Sequence, residues 1–236
     1  MLHEPVLEAF VTNLGRYNEG FLIGDYLKLP ATTEEVQKLL KAIGVDGVRY
    51  EEIFITDYEC HVSGLYDVLG EYESIDELNY LAGLIDEMDR WELEKFEAAV
   101  CHGEHSGSVR ELINLAQNLD CYEFYSNISD CDDLGRMYIE EYNALSIPES
   151  IINYFDFEAY GRDVQLEEGG EFVNGGYIVD SGNSFTEFYT DREDIPEEFC
   201  IFAYPKLPIR EQIAAFKESI SDVGLRESRT MPEHDR

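Results

Sequence analysis

Three stretches of this chain hold residue types that do chemistry at close spacing. Cys101, His102 and His105 set a thiol beside two imidazoles, as in a nucleophile with its base or half of a metal site. Their spacing matches no zinc pattern, and the sequence offers no second cluster of ligands; a surface loop accounts for them as well. Residues 130–141, DCDDLGRMYIEE, come nearest to a calcium loop, with Asp130, Asp132, Gly135 and Glu141 at loop positions 1, 3, 6 and 12. Position 5 is Leu134, which cannot ligate, and Leu134 to Tyr142 already reads as helix. An N-capped helix with an acidic first turn explains the same residues. Residues 15–24, GRYNEGFLIG, lack both the GxGxxG spacing and the lysine of a phosphate loop. With 51 Asp and Glu in the chain, any chosen pair of carboxylates for glycoside chemistry is uninformative.

What stands out instead is charge held on regular structure. Residues 71–104 carry eleven carboxylates, Glu71, Glu73, Asp76, Glu77, Asp86, Glu87, Asp89, Glu92, Glu94, Glu97 and Glu104, against two bases. In the same stretch Ile75, Leu78, Leu81, Ala82 and Ile85 recur at helical spacing, and Leu93, Phe96, Ala99 and Val100 form a second apolar stripe. The pattern predicts a folded acidic surface, not an acidic tail.

Composition sets the frame. The 236 residues are 44% hydrophobic and 13% aromatic, enough for a buried core, yet the formal net charge is −34. Sixteen Tyr and thirteen Phe argue for an ordered chain that folds against strong self-repulsion. The five cysteines, 60, 101, 121, 131 and 200, are odd in number, scattered and never CxxC, which speaks against a disulfide framework. No run of about 18 apolar residues occurs, and MLHEPVLEAF is neither basic nor a signal-peptide core, so the expectation is a cytoplasmic protein without a membrane partner. Residues 205–236 hold six bases and six acids, so the whole −34 resides in the preceding 204 residues.

The elements that would position these charges read in order. Residues 9–14 are strand-like, 15–20 a loop and 21–29 extended. A helix follows with Thr32 or Thr33 as cap, Val36, Leu39, Leu40 and Ile43 as its apolar face and Gly44 as its stop. Residues 50–58 read as strand, and 108–119 continue the helical pattern of the middle. Strand character returns at Cys121, and Asp130 caps a helix. Pro148 opens another helix over 149–155, and Gly161 is read as a turn. Hairpin chemistry appears at 174–176 and again at 182–183. A short strand over FCIFAY, a helix over 209–220 and a frayed end complete the chain. The fold class predicted is α+β, an elongated chain of small domains, because self-repulsion disfavours a single sphere.

B-form DNA carries one charge per about 1.7 Å of axis, so 34 charges equal roughly 17 base pairs or about 58 Å of duplex. A chain of this length has a compact diameter of roughly 45 Å, so its charge per length is comparable to that of DNA. Such a body attracts basic clefts and repels nucleic acid itself.

Residues 10–30 (FVTNLGRYNEGFLIGDYLKLP), 50–59 (YEEIFITDYE), 69–82 (LGEYESIDELNYLA) and 147–166 (IPESIINYFDFEAYGRDVQL), with 130–141 between, together resemble the ArdA family of antirestriction proteins. The resemblance runs collinearly over about residues 8–190. It implies a non-enzymatic DNA mimic, encoded on mobile elements, that occupies the DNA-binding site of type I restriction-modification enzymes. It also implies no cofactor, no metal and a homodimer formed through the third of three domains. Mapped here, these are an α+β domain over 1–73, a helical middle over 74–118 and an α+β domain over 119–190, with 191–236 an extension of open role. The mimicking carboxylates would be the eleven above with Asp130, Asp132, Asp133, Glu140, Glu141, Asp156, Glu158 and Asp163. Tyr154, Phe155, Phe157 and Tyr160 would lie near the dimer contact, or else form a buried intradomain helix. The alternatives are a calcium-dependent acidic module using Asp130, Asp132 and Glu141, a generic acidic surface protein, and a hydrolase with a carboxylate pair.

Overall fold

Alternating burial along Leu7–Asn13 makes this segment the central strand, β1, of the first sheet, with Leu7, Ala9 and Val11 buried. The computed structural model describes residues 5–206, 208–210, 212, 213, 216 and 217. These residues form an α+β structure in two compact units. The first comprises the described residues up to Glu59, Gly70–Tyr80 and those from Ile195; the second comprises Cys60–Leu69 and Leu81–Asp194.

In the first unit β1 is flanked by β2, Gly24–Leu29, and β3, Ile53–Cys60, in the order β2-β1-β3. β1 and β2 run antiparallel from Leu7 opposite Leu29 to Thr12 opposite Gly24. Between them lies a short helix, α1, Leu14–Asn18, where a loop is expected from the two glycines. The buried Asn13 caps it, accepting from the Arg16 amide at 3.0 Å, while its own amide group donates to the Ile43 carbonyl at 3.1 Å. α2, Thr33–Ala42, forms as the sequence predicts. Thr32 and Glu35 close a capping box, Val36, Leu39 and Leu40 are buried, and Gly44 takes the left-handed φ of +76° past its end.

Residues 199–204 do not form the expected strand, because their backbone groups have other partners. The amides of Ile201 and Phe202 donate to Asp76 Oδ1 at 2.8 and 2.7 Å, and the Phe199 carbonyl accepts from Asn79 Nδ2 at 3.3 Å. Of the helix expected over 209–220, residues 209, 210, 212, 213, 216 and 217 are described and are helical. The frayed end expected beyond it lies outside the described residues.

α3, Ile75–Asp86, crosses from the first unit to the second after Tyr80. In the second unit follow α4, Arg90–His102, and α5, Val109–Ala116. β4, Tyr122–Ser126, then leads to α6, Cys131–Arg136, which continues as a π-helical turn over Met137–Glu141. After α7, Phe157–Glu168, the strands β5, Glu171–Val173, and β6, Gly176–Asp180, form the predicted hairpin, with Gly175 at φ +92° in its turn. The sheet order is β4-β6-β5, antiparallel throughout, with Phe124 opposite Ile178. Leu134, Met137, Val164, Tyr177 and Val179 form a core beneath it.

Three expectations fail in this unit. Gly161 is not in a turn; it is buried inside α7, the helix that follows the predicted one. The helix expected over 149–155 is only a single 3-10 turn, Ile152–Tyr154. No second hairpin forms at 182–183. There the Asp120 carbonyl accepts from Ser181 Oγ at 2.7 Å and from Asn183 Nδ2 at 2.8 Å. Beyond it residues 186–189 pair with two asparagine side chains, Asn114 in α5 and Asn118 just past its end. Asn118 accepts from the Thr186 amide at 2.9 Å and donates to the Thr186 carbonyl at 2.8 Å. Asn114 accepts from the amides of Phe188 and Tyr189 and donates to the Tyr189 carbonyl.

Candidate protein-binding surface

Helix physics decides which of the carboxylates are placed for the fold and which are not. An acidic residue in a first helical turn is favoured by the macrodipole, and one at a last turn is opposed by it. Asp89 caps α4 in a box with Glu92, accepting from the Glu92 amide at 2.9 Å. Asp130 caps α6 through the Asp133 amide at 2.9 Å, and Asp156 caps α7 through the Ala159 amide at 3.0 Å. Glu73 accepts from the Gly70 amide at 3.1 Å and Glu97 from the Ser63 amide at 2.9 Å. Asp76, half-buried, holds residues 201 and 202. These carboxylates organise the backbone.

A second set pairs locally with the few bases. Glu94 meets Arg90 at 2.8 Å, Asp132 and Glu140 share Arg136 at 2.6 and 3.6 Å, and Glu158 meets Arg162 at 2.8 Å. All are exposed or half-exposed pairs one helical turn apart, worth about 0.2–1 kcal/mol each. Glu104 lies 3.9 Å from His102 Nε2, whose other ring nitrogen is 2.8 Å from Glu171.

The third set opposes the helix dipole. Asp86 ends α3, which has no base in its last turn, and Glu87 follows it; both are exposed. α7 closes on Glu167 and Glu168, again with no base in its last turn. Each such placement costs about 0.3–1 kcal/mol relative to a cation there. Glu71, Glu141 and Asp163 are exposed, and Glu77 is partly so. The second unit thus presents Asp86, Glu87, Asp89 and Glu92 to solvent within seven residues of chain.

Tyrosine phenols supply a contribution that charge patterning does not reveal. Tyr26 donates to Asp57 at 3.0 Å, Tyr50 to Glu19 at 2.9 Å, Tyr125 to Glu123 at 2.5 Å, and Tyr138 to Glu168. The bond to Asp57 pushes the Tyr26 phenol up to about 12, and the bond from Tyr50 holds the Glu19 carboxyl below its ordinary value. A neutral phenol fixes a carboxylate without cancelling its charge. Only the Glu123 and Tyr125 pair is legible in sequence, since residues two apart share one face of a strand. Asp133 is likewise held low, chiefly by the Ser129 hydroxyl and then by its amide.

The four nominated aromatics separate. Tyr154 is 88% exposed, whereas Phe157 is buried in the protomer with the Arg136 guanidinium 4.3 Å above its ring. Tyr160 packs against the core of the second unit, and Phe155 contacts the rings of both Phe157 and Tyr160.

Other chemistry finds little support. Leu134 is fully buried at the would-be fifth calcium position, and Asp130 faces the α6 amides. Among the described residues, no group of three or more His, Cys, Asp or Glu side chains is placed to hold a metal ion. His102 faces Glu171, and His105 stacks on Phe185 with ring centroids 3.8 Å apart, so neither is set against Cys101 as a base. Burial and the neighbouring Glu97 carboxylate push the Cys101 thiol up, the wrong direction for a nucleophile. No helix of the described residues is long and apolar enough to cross a membrane.

Comparison with known proteins agrees with the motif series. The family model described as antirestriction protein (ArdA) matches residues 9–179, most of the chain and nearly all of both sheets. None of the curated proteins matches it.

Proposed function

Because the chain belongs to the ArdA family of antirestriction proteins, we propose that it is a protein decoy for duplex DNA, occupying the DNA-binding cleft of a type I restriction-modification enzyme and blocking it without catalysis. The observation that carries this reading is the exposed acidic run at the end of α3 and the start of α4, where Asp86 and Glu87 sit against the helix dipole. Stability alone would place a lysine there. Within a net charge of −34, the carboxylates held by caps, amide bonds and phenols are preorganised for a basic cleft, so less entropy is lost when the cleft closes on them.

In this reading the nominated carboxylates act collectively. Those that cap helices contribute through their outward oxygens, and those paired with Arg90, Arg136 and Arg162 exchange weak local pairs for partner arginines and lysines. Residues 1–73, 74–118 and 119–190 are proposed as three successive functional segments, and the active form as a cytoplasmic homodimer with the exposed Tyr154 at the contact.

The test is displacement. Purified protein, added at low salt to a type I methyltransferase core bound to labelled duplex, is expected to release the DNA stoichiometrically and to lose this ability steeply as salt rises. Failure to release DNA at any ratio at low salt would exclude the proposal.

A further inference from the structure

Trp91, the single tryptophan of the chain, stands 49% exposed in the first turn of α4 and lines a cleft of about 590 Å³ within the second unit. One side of its indole leans on the buried Phe124, with ring centroids 5.8 Å apart at 44°. Across the cleft stand Asn174 and Gly175 of the β5–β6 turn, tied to the end of β4 by the Asn127 amide, which donates to the Gly175 carbonyl at 2.9 Å. Glu94 and Glu97 line the same cleft from α4.

The walls discriminate among occupants. An anion would meet Glu94 and Glu97, and the capping box of Asp89 and Glu92 already engages the start of α4. A neutral apolar group would leave two carboxylates facing it, at a desolvation cost. A guanidinium suits every wall: its flat face lies on the indole, and its fork of N–H donors meets carboxylate and side-chain amide oxygens. The chain already makes this pairing, since Arg90 Nε donates to Glu94 Oε1 at 2.8 Å. Arg90 is 93% exposed, so its ion pair is screened by water and easily exchanged.

We propose that this cleft is an arginine-specific pocket that seats one guanidinium side chain from the partner enzyme's DNA-binding surface. The naming of the partner rests on the decoy reading, which it deepens. A purely phosphate-like array of carboxylates attracts arginine and lysine alike. An indole flanked by carboxylates prefers arginine.

Because Trp91 is the only tryptophan, its emission in the intact protein reports on this cleft alone. Titration at low salt with oligoarginine and oligolysine peptides of equal length is expected to shift the emission with both, saturating at roughly fivefold lower concentration of oligoarginine. Glu94→Gln should weaken the arginine response about threefold, whereas Arg90→Ala, which removes the resident competitor, should strengthen it by a similar factor. Equal responses to the two peptides, a response unchanged in both variants, or peptide binding seen by anisotropy without any change in emission would each overturn the pocket. The displacement assay separates the two readings. Wild-type protein that cannot release DNA defeats the decoy, whereas Trp91→Ala protein that is folded and competes as well as wild type defeats only the pocket.

Discussion

Gly135 and Gly161 hold α6 and α7 backbone to backbone. A Cβ on Gly161 would stand 1.9 Å from the Cys131 carbonyl oxygen and 2.7 Å from the Gly135 amide nitrogen, and one on Gly135 would stand 2.0 Å from the Phe157 carbonyl oxygen. These are main-chain atoms that cannot swing aside. Alanine is the better helix former by about 1 kcal/mol, but overpacking against backbone costs typically 1–3 kcal/mol and more where nothing yields. Steric cost therefore wins, and Gly161→Ala should destabilise the protein by about 2 kcal/mol, read as a lower urea midpoint at unchanged slope.

The same glycine explains the largest misreading of the sequence. Within FEAYGRDVQL a glycine lowers helix propensity and suggests a turn, while the need for it lies in Cys131 and Gly135, some thirty residues away. Residues 186–189 look like a strand, yet their partners are the side chains of Asn114 in α5 and Asn118 just past its end, which no periodicity announces. By contrast α2, α4 and α6 were legible because their caps and apolar stripes are local signals. The acidic surface was legible as a total of charge. Its division into caps, local pairs and dipole-opposed carboxylates required the structure, because Asp76 and Asp86 look alike on one helix until the amides of residues 201 and 202 are seen.

Asp76 should therefore behave as a structural residue. Asp76→Ala leaves the amides of Ile201 and Phe202 without this acceptor, and each unsatisfied donor costs about 1–3 kcal/mol if it stays buried. The expected outcome is local release, with faster hydrogen exchange at 199–204 and little change in the second unit. Unaltered exchange there would show that the carboxylate is not what holds the segment.

Asn114 makes the corresponding prediction in the second unit. Its Oδ1 accepts from the Phe188 and Tyr189 amides at 2.8 and 2.9 Å, and its Nδ2 donates to the Tyr189 carbonyl at 2.8 Å. Asn114→Leu keeps the branching at Cγ but removes these three bonds and the one from Nδ2 to the Arg110 carbonyl at 3.1 Å, so a loss of about 2–4 kcal/mol is expected with early proteolysis near 186–189. Asn114→Asp retains the acceptor and should be the milder variant.

Acid should act on Asp133 in a defined direction. Hydrogen bonds from Ser129 depress its folded pKa below the ordinary 3.8, so its stabilising contribution is complete above that value and is lost as pH falls through the folded pKa. Ser129→Ala removes the hydroxyl, and the carboxyl titration of Asp133 followed by NMR should move upward toward the ordinary value. An unmoved titration would assign the depression to other groups.

Collective action of the carboxylates is the prediction on which the decoy turns. Asp86, Glu87, Glu141 and Asp163 are exposed, and no helix of the second unit uses them as its cap. An exposed ion pair is worth roughly 0.2–1 kcal/mol, so any one change to the amide should shift inhibition of a type I enzyme by no more than about fivefold. Four together should cost roughly 1–3 kcal/mol, about five- to a hundred-and-fiftyfold, and should flatten the dependence of inhibition on salt because fewer charges engage the cleft. Melting temperature should hold or rise, since removing Asp86 and Glu87 also relieves the dipole at the end of α3. A quadruple variant that inhibits like wild type at every salt concentration would place the partner contact elsewhere.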